Sequence, residues 1–129
     1  MRQNISTNTP WEALAGYSRV VRIGQVIAVS GTTASNAAGE VQHIGDPAAQ
    51  TTYIIKKIEA SLAEVGATLQ DVIRTRVYVS DIAHWEPVAR AHGAFFADIR
   101  PANTLVSASM TDPRQLVEIE ADAVLSDAH

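Results

Sequence analysis

The sequence predicts an α+β fold, a mixed sheet with two helices on one face, in the order β-β-α-β-α-β-β. Three observations carry this expectation. Two segments repeat apolar residues at three- and four-residue intervals, and each has one broad apolar stripe to bury. Five segments rich in β-branched residues lie around them, one alternating strictly between two faces. The 129 residues contain no internal repeat, linker or low-complexity stretch, so residues 1–129 read as a single domain with one core.

The elements follow in order. Tyr17 to Arg22 and Gln25 to Ser30 read as a hairpin, because Gly24 between them offers the positive φ such a turn often needs. The stretch "GTTASNAAGEVQHIGD" reads as loop. Asp46 then supplies an N-cap carboxylate and Pro47 the first helical position. Thr51, Ile54, Ile55, Ile58, Leu62 and Val65 mark the buried stripe of that helix, and Gly66 sits where a left-handed C-terminal residue belongs. From Val72 to Ser80 the chain alternates, placing Ile73, Thr75, Val77 and Val79 on one face and Arg74, Arg76 and Tyr78 on the other. Helical spacing returns from Trp85 to Phe96, with His92 on the apolar side and His84 in the preceding turn. Strands near Asn103 to Met110 and Val117 to Leu125 complete the order, separated by the turn-like "TDPRQ".

Composition excludes several function classes. The formal net charge is −4, and ten Lys and Arg are scattered among fourteen acids, which opposes nucleic-acid binding through phosphate neutralisation. Without cysteine there are no disulfides, thiolate ligands or thiol nucleophiles. His43, His84, His92 and His129 form no i, i+4 pair, so no metal site and no cofactor is expected. No signal-peptide run or membrane-length apolar segment appears, and a cytoplasmic protein without membrane contact is the default.

One sheet face lies away from the helices. It carries either Val117, Ile119, Ala121, Ala123 and Leu125, or the alternate set Glu118, Glu120, Asp122 and Val124. A partly apolar uncovered face would favour oligomerisation. Glu118, Glu120 and Asp122 repel one another unless solvated or paired, with Arg74 and Arg76 as the available partners. They read either as a wet, ion-paired face or as one carboxylate standing in a cleft as base or water-positioner. Tyr17 and Ser30 each offer a hydroxyl, and Gly31 would let a ligand approach bare backbone.

The segments "VIAVSGTT", "TRVYVSDI", "GAFFADIRPA" and "VEIEADAV", in this order, resemble the Rid family, also called YjgF/YER057c/UK114 and formerly endoribonuclease L-PSP. The resemblance runs from Tyr17 to Leu125. It implies a chorismate-mutase-like fold and a homotrimer with small-molecule clefts between subunits. It also implies hydrolysis of reactive imines or enamines to 2-oxo acids and ammonia, in the manner of a deaminase. The family's water-positioning glutamate falls on Glu118, the tyrosine of the first strand on Tyr17, and the Ser-Gly pair on Ser30 and Gly31. The arginine that holds the substrate carboxylate falls on Asn103 in "PANTLV", and the following cysteine on Leu105. The chain thus resembles an arginine-lacking subgroup, in which Arg100 is either a substitute cation at the cleft rim or a solvated loop residue. A non-catalytic ligand-binding or regulatory module is the alternative reading; ribonuclease action follows only from the older family name.

Overall fold

The computed structural model describes residues 1–7 and 9–126, so His129 lies outside the described residues. The elements are β1 Arg2–Ile5, α1 Pro10–Ala15, β2 Val20–Ile23, β3 Val26–Thr33, α2 Pro47–Glu64, β4 Val72–Val79, α3 Trp85–Phe96, β5 Ala102–Ser107 and β6 Val117–Val124. This is the expected α+β arrangement with β1 and α1 added. Arg2-Gln3-Asn4-Ile5 shows no apolar alternation, and six residues of α1 are too few to display a helical period.

The sheet order is β1-β2-β3-β6-β4-β5, and only the β4–β5 pair is parallel among the pairs described. The chain returns through β6 to the sheet centre, and β1 and β5 become the edges. Asp46 caps α2 by accepting from the Ala49 N–H at 3.0 Å, and Gly66 adopts φ 83° just beyond its end. The stripe Thr51, Ile54, Ile55, Ile58 and Leu62 is buried against Ile27, Val29, Val77, Val79, Val117, Ile119 and Ala121. Removing that much apolar surface from water at roughly 25 cal/mol per Å² is the main stabilising contribution to the fold.

The register resolves the two alternatives for β6. Val117, Ile119, Ala121 and Ala123 face the helices and are fully buried. The acidic set lies on the uncovered face, which is therefore charged rather than mainly apolar. There Arg76 Nη1 approaches Glu120 Oε1 at 3.3 Å and Asp122 Oδ2 at 3.2 Å, and the Tyr78 hydroxyl donates to Glu120 at 3.1 Å. Arg74 forms no ion pair among the described residues. The expected position of Ile73 is corrected: its side chain is exposed and Val72 is buried instead. Val72 pairs with Ala123 and Arg74 with Asp122, so Ile73 is the extra residue of a β-bulge, which breaks strict alternation.

Gln50 ties α2 to the segment entering β6. It is fully buried, donates to the carbonyl of Arg114 at 3.0 Å and accepts the Leu116 N–H at 2.8 Å. Gln50→Ala leaves both backbone groups without that partner, at about 1–3 kcal/mol for each group that water does not reach. Urea denaturation is expected to show a lower midpoint with an unchanged slope. A midpoint equal to wild type would contradict the role assigned to Gln50.

Candidate functional site

The site begins with a fault in the sheet. Val29 pairs with Ala121 and Thr32 with Ile119, so Ser30 and Gly31 together oppose Glu120 in a β-bulge. The next pair is Thr33 with Glu118. Gly31 lies so close to Glu118 that an added Cβ would land on its carboxylate, so a side chain at 31 would displace that group. Glu118 is half-buried, and burial raises its pKa above the ordinary carboxylate range. The nearby charge of Glu120 adds to this, and Arg19 opposes it.

Arg19 holds the bulge in place. Its Nη1 donates to the Gly31 carbonyl at 2.6 Å and to Thr32 Oγ1 at 3.1 Å. The residue is 7% exposed, and its guanidinium stands 5.7 Å from the centre of the Tyr17 ring. Its Nε lies 4.0 Å from Glu12 on α1. Glu12 is buried too, which by itself would raise its pKa. The hydroxyls of Thr7, Thr9 and Ser6 and the Thr7 N–H, all donating to it, outweigh that penalty and bring the pKa down to about 2.

Arg19, Gly31 and Glu118 border a cavity of about 260 Å³ at the end of the sheet where β3 finishes and β6 begins. Trp11 and Tyr17 form aromatic parts of its wall, with Arg19, Lys57, Gln115 and Glu118 as polar ones. Lys57 reaches from α2 and donates to the carbonyls of Thr33 and Ser35, each at 2.8 Å. Burial pushes its pKa down to about 8; the charge of Arg19 acts the same way and Glu12 opposes it. Among the described residues no group of three or more His, Cys, Asp or Glu is placed to hold a metal.

The predicted site residues fall into two groups. Tyr17, Gly31 and Glu118 line the cavity. Ser30 stands beside it in the bulge, its hydroxyl donating to the Ser18 carbonyl at 2.6 Å. Asn103 and Leu105 lie two strands beyond β6, on edge strand β5. Asn103 opposes Thr75 near the start of β4, whereas Glu118 opposes Tyr78 near its end, so the edge-strand residue and the central-strand carboxylate lie toward opposite ends of β4. Asn103 Nδ2 donates to Thr75 Oγ1 at 2.9 Å, and that oxygen is 2.8 Å from His92 Nε2. His92 is the packed histidine the pattern suggested, stacked on Phe96 at 4.6 Å between ring centroids. Leu105 packs against the core, and Arg100 is an exposed turn residue with φ 56°.

The endoribonuclease L-PSP family model matches residues 7–125. The chain belongs to this family. Among Rid-family relatives, 3-aminoacrylate deaminase of Acinetobacter baylyi is 29% identical over 110 residues, 85% of this chain and 87% of that protein. An uncharacterized protein of Streptomyces coelicolor is 35% identical over 123 residues, 94% of this chain and 90% of its own. The crystal structure of Rv2704 from Mycobacterium tuberculosis, a member of the YjgF/YER057c/UK114 family, matches with a TM-score of 0.88. It is 43% identical, and the match covers 97% of this chain and 100% of that one. The chorismate-mutase-like reading of the fold follows from this Rid-family membership.

Sequence reasoning passed over Glu12, Arg19, Lys57 and Gln115. Arg19 in "GYSRV" looks like an ordinary strand-edge cation, and Lys57 sits in the surface-like pair "KK". No periodicity distinguishes them.

Glu12 makes stability depend on acid. Because its folded pKa lies below the ordinary 4.5, its contribution is complete above that value and is lost as pH falls from there towards about 2. Urea midpoints measured against pH are expected to fall more steeply over this window for wild type than for Glu12→Gln. At neutral pH wild type should be the more stable; parallel curves would refute the assignment.

Proposed function

We propose that the chain acts as a cytoplasmic homotrimer that binds a small carboxylate metabolite in clefts between subunits and hydrolyses its imine or enamine form. The observation that carries this reading is Glu118: a half-buried carboxylate of raised pKa, set against the bare backbone of Gly31 on a cavity wall. A carboxylate whose pKa is raised by burial is a stronger base than an exposed one and holds a transferred proton more readily. The 3-aminoacrylate deaminase of Acinetobacter baylyi supports the reaction class.

In the proposed step Glu118 accepts a proton from a water whose oxygen attacks C2 of a 2-iminium carboxylate. The C–O bond forms and Glu118 passes the proton to nitrogen. The C–N bond then breaks as the new hydroxyl gives its proton to Glu118 and becomes C=O, and that proton leaves with the departing ammonia as ammonium, leaving a 2-oxo acid. The Tyr17 hydroxyl and the backbone at Ser30 and Gly31 orient the substrate's polar atoms. Asn103 and Leu105 contribute from a neighbouring copy, since within their own sheet they stand on an edge strand two strands away from Glu118.

A second reading is a ligand-binding module without turnover. Asn103 favours it, being an uncharged amide already bonded to Thr75 rather than a cation free to meet a carboxylate. The acidic balance of the chain opposes ribonuclease action.

Glu118→Gln is expected to lower keto-acid formation from freshly generated 2-iminopropionate by about a hundred-fold or more, while the trimer persists. Wild-type activity at background would leave the binding module as the better reading. Light scattering at micromolar concentration is expected to give the trimer mass. A monomer there would remove the inter-subunit cleft.

A further inference from the structure

The cavity wall holds a cation that has no carboxylate within ion-pair distance among the described residues, Glu12 acting on it only from further off. Arg19 has Glu12 at 4.0 Å. Asp112, also on the wall, is held by Arg114 at 2.7 Å. Lys57 has only the neutral carbonyls of Thr33 and Ser35, forms no ion pair among the described residues, and keeps a third N–H beyond those two bonds. An ammonium so placed invites an anion, because a charge removed from water is stabilised chiefly by an opposite charge.

A second, independent feature lies on the same wall. Gln115 is 6% exposed, and its Nε2 donates to Ser35 Oγ at 2.6 Å. Its Oε1 is buried and accepts no hydrogen bond among the described residues. Leaving a buried acceptor unpaired is costly, so a shift of the Gln115 amide that brings this oxygen to a donor in the cavity its residue lines is favoured. A cation and an unpaired acceptor on one wall together describe a ligand with a carboxylate and an N–H.

We propose that Lys57, with Arg19 beside it, forms the carboxylate anchor of this chain, and that Gln115 Oε1 receives the ligand's N–H. The anchor is thus supplied within the chain's own cavity, in place of a cation at position 103. Its ligand class is the small 2-imino or 2-amido carboxylates. The inference rests on the function proposed above for the same site and adds where the charge is met. Arg19 completes the anchor electrostatically while its Nη1 remains occupied by the bulge carbonyls.

Oxamate, which carries a carboxylate and an amide N–H, is the probe. Its binding is followed by calorimetry and by Trp11 fluorescence in a Trp85→Phe background. Saturable oxamate binding is expected, with oxamide, which lacks the charge, at least about ten-fold weaker. Lys57→Met and Lys57→Gln should each weaken oxamate about ten-fold or more, the second keeping a donor for Thr33 and Ser35. The exposed neighbour change Lys56→Met should not alter it. Gln115→Leu should weaken oxamate but not pyruvate, which has no N–H. In unsubstituted protein, saturating oxamate should protect Lys57 from reductive methylation, a readout independent of whether any variant folds. Absent oxamate binding, equal affinity in folded Lys57 variants, or unprotected Lys57 would overturn the anchor. Turnover of 2-iminopropionate with unchanged KM in Lys57→Gln would leave the proposed function standing and reject the anchor. Lys57-dependent oxamate binding without turnover would do the reverse.

Discussion

The Arg19 guanidinium joins three stretches of chain at one point. Its Nη1 bonds the carbonyl of Gly31 and the hydroxyl of Thr32 in β3, its Nε faces Glu12 of α1, and its plane stands over Tyr17. A buried cation is tolerated only where such partners converge. The bulge at Ser30 and Gly31, the position of α1 and the aromatic part of the cavity wall therefore depend on one another. Because the bulge sets Gly31 beside Glu118, the geometry of the half-buried carboxylate depends on the same group.

Two carboxylates in this neighbourhood show how environment divides one chemistry into two roles. Glu12 is buried more deeply than Glu118 but receives three hydroxyls and a backbone N–H, and it stays ionised as a structural anion. Glu118 is less buried, stands near the charge of Glu120, and is shifted towards the protonated form. Burial acts in the same direction on both; the supply of donors decides which remains charged. Lys57 is the cationic counterpart, depressed by burial and by Arg19.

Much of the fold was legible because local rules and tertiary packing agree. Asp46-Pro47 and the stripe from Thr51 to Leu62 describe an amphipathic helix with its cap, and the helix is buried along that stripe. The alternation of β6 was legible, but which of its two faces met the helices was not, since strand periodicity defines two faces without naming the inner one. Ile73 was misplaced for a related reason. A bulge adds one residue and inverts the alternation, and nothing in "VIRTRV" marks it. β1 and α1 were invisible because each is too short to show a period.

The sequence by itself determined the order of the five strands and two long helices from β2 onward, the absence of thiol chemistry and the family, because composition, capping residues and motif order are properties of the linear chain. It also led to Tyr17, Gly31 and Glu118, through the resemblance that their motifs carry. Only the tertiary structure decided that Arg19, Lys57 and Gln115 meet at the same cavity as those residues, with Glu12 beside Arg19, and that Asn103 lies on an edge strand away from them. The physical reason is that these side chains come from α1, the approach to β2, α2 and the loop before β6. Their charge and hydrogen-bonding states are set by neighbours distant in sequence, and no local pattern records those neighbours.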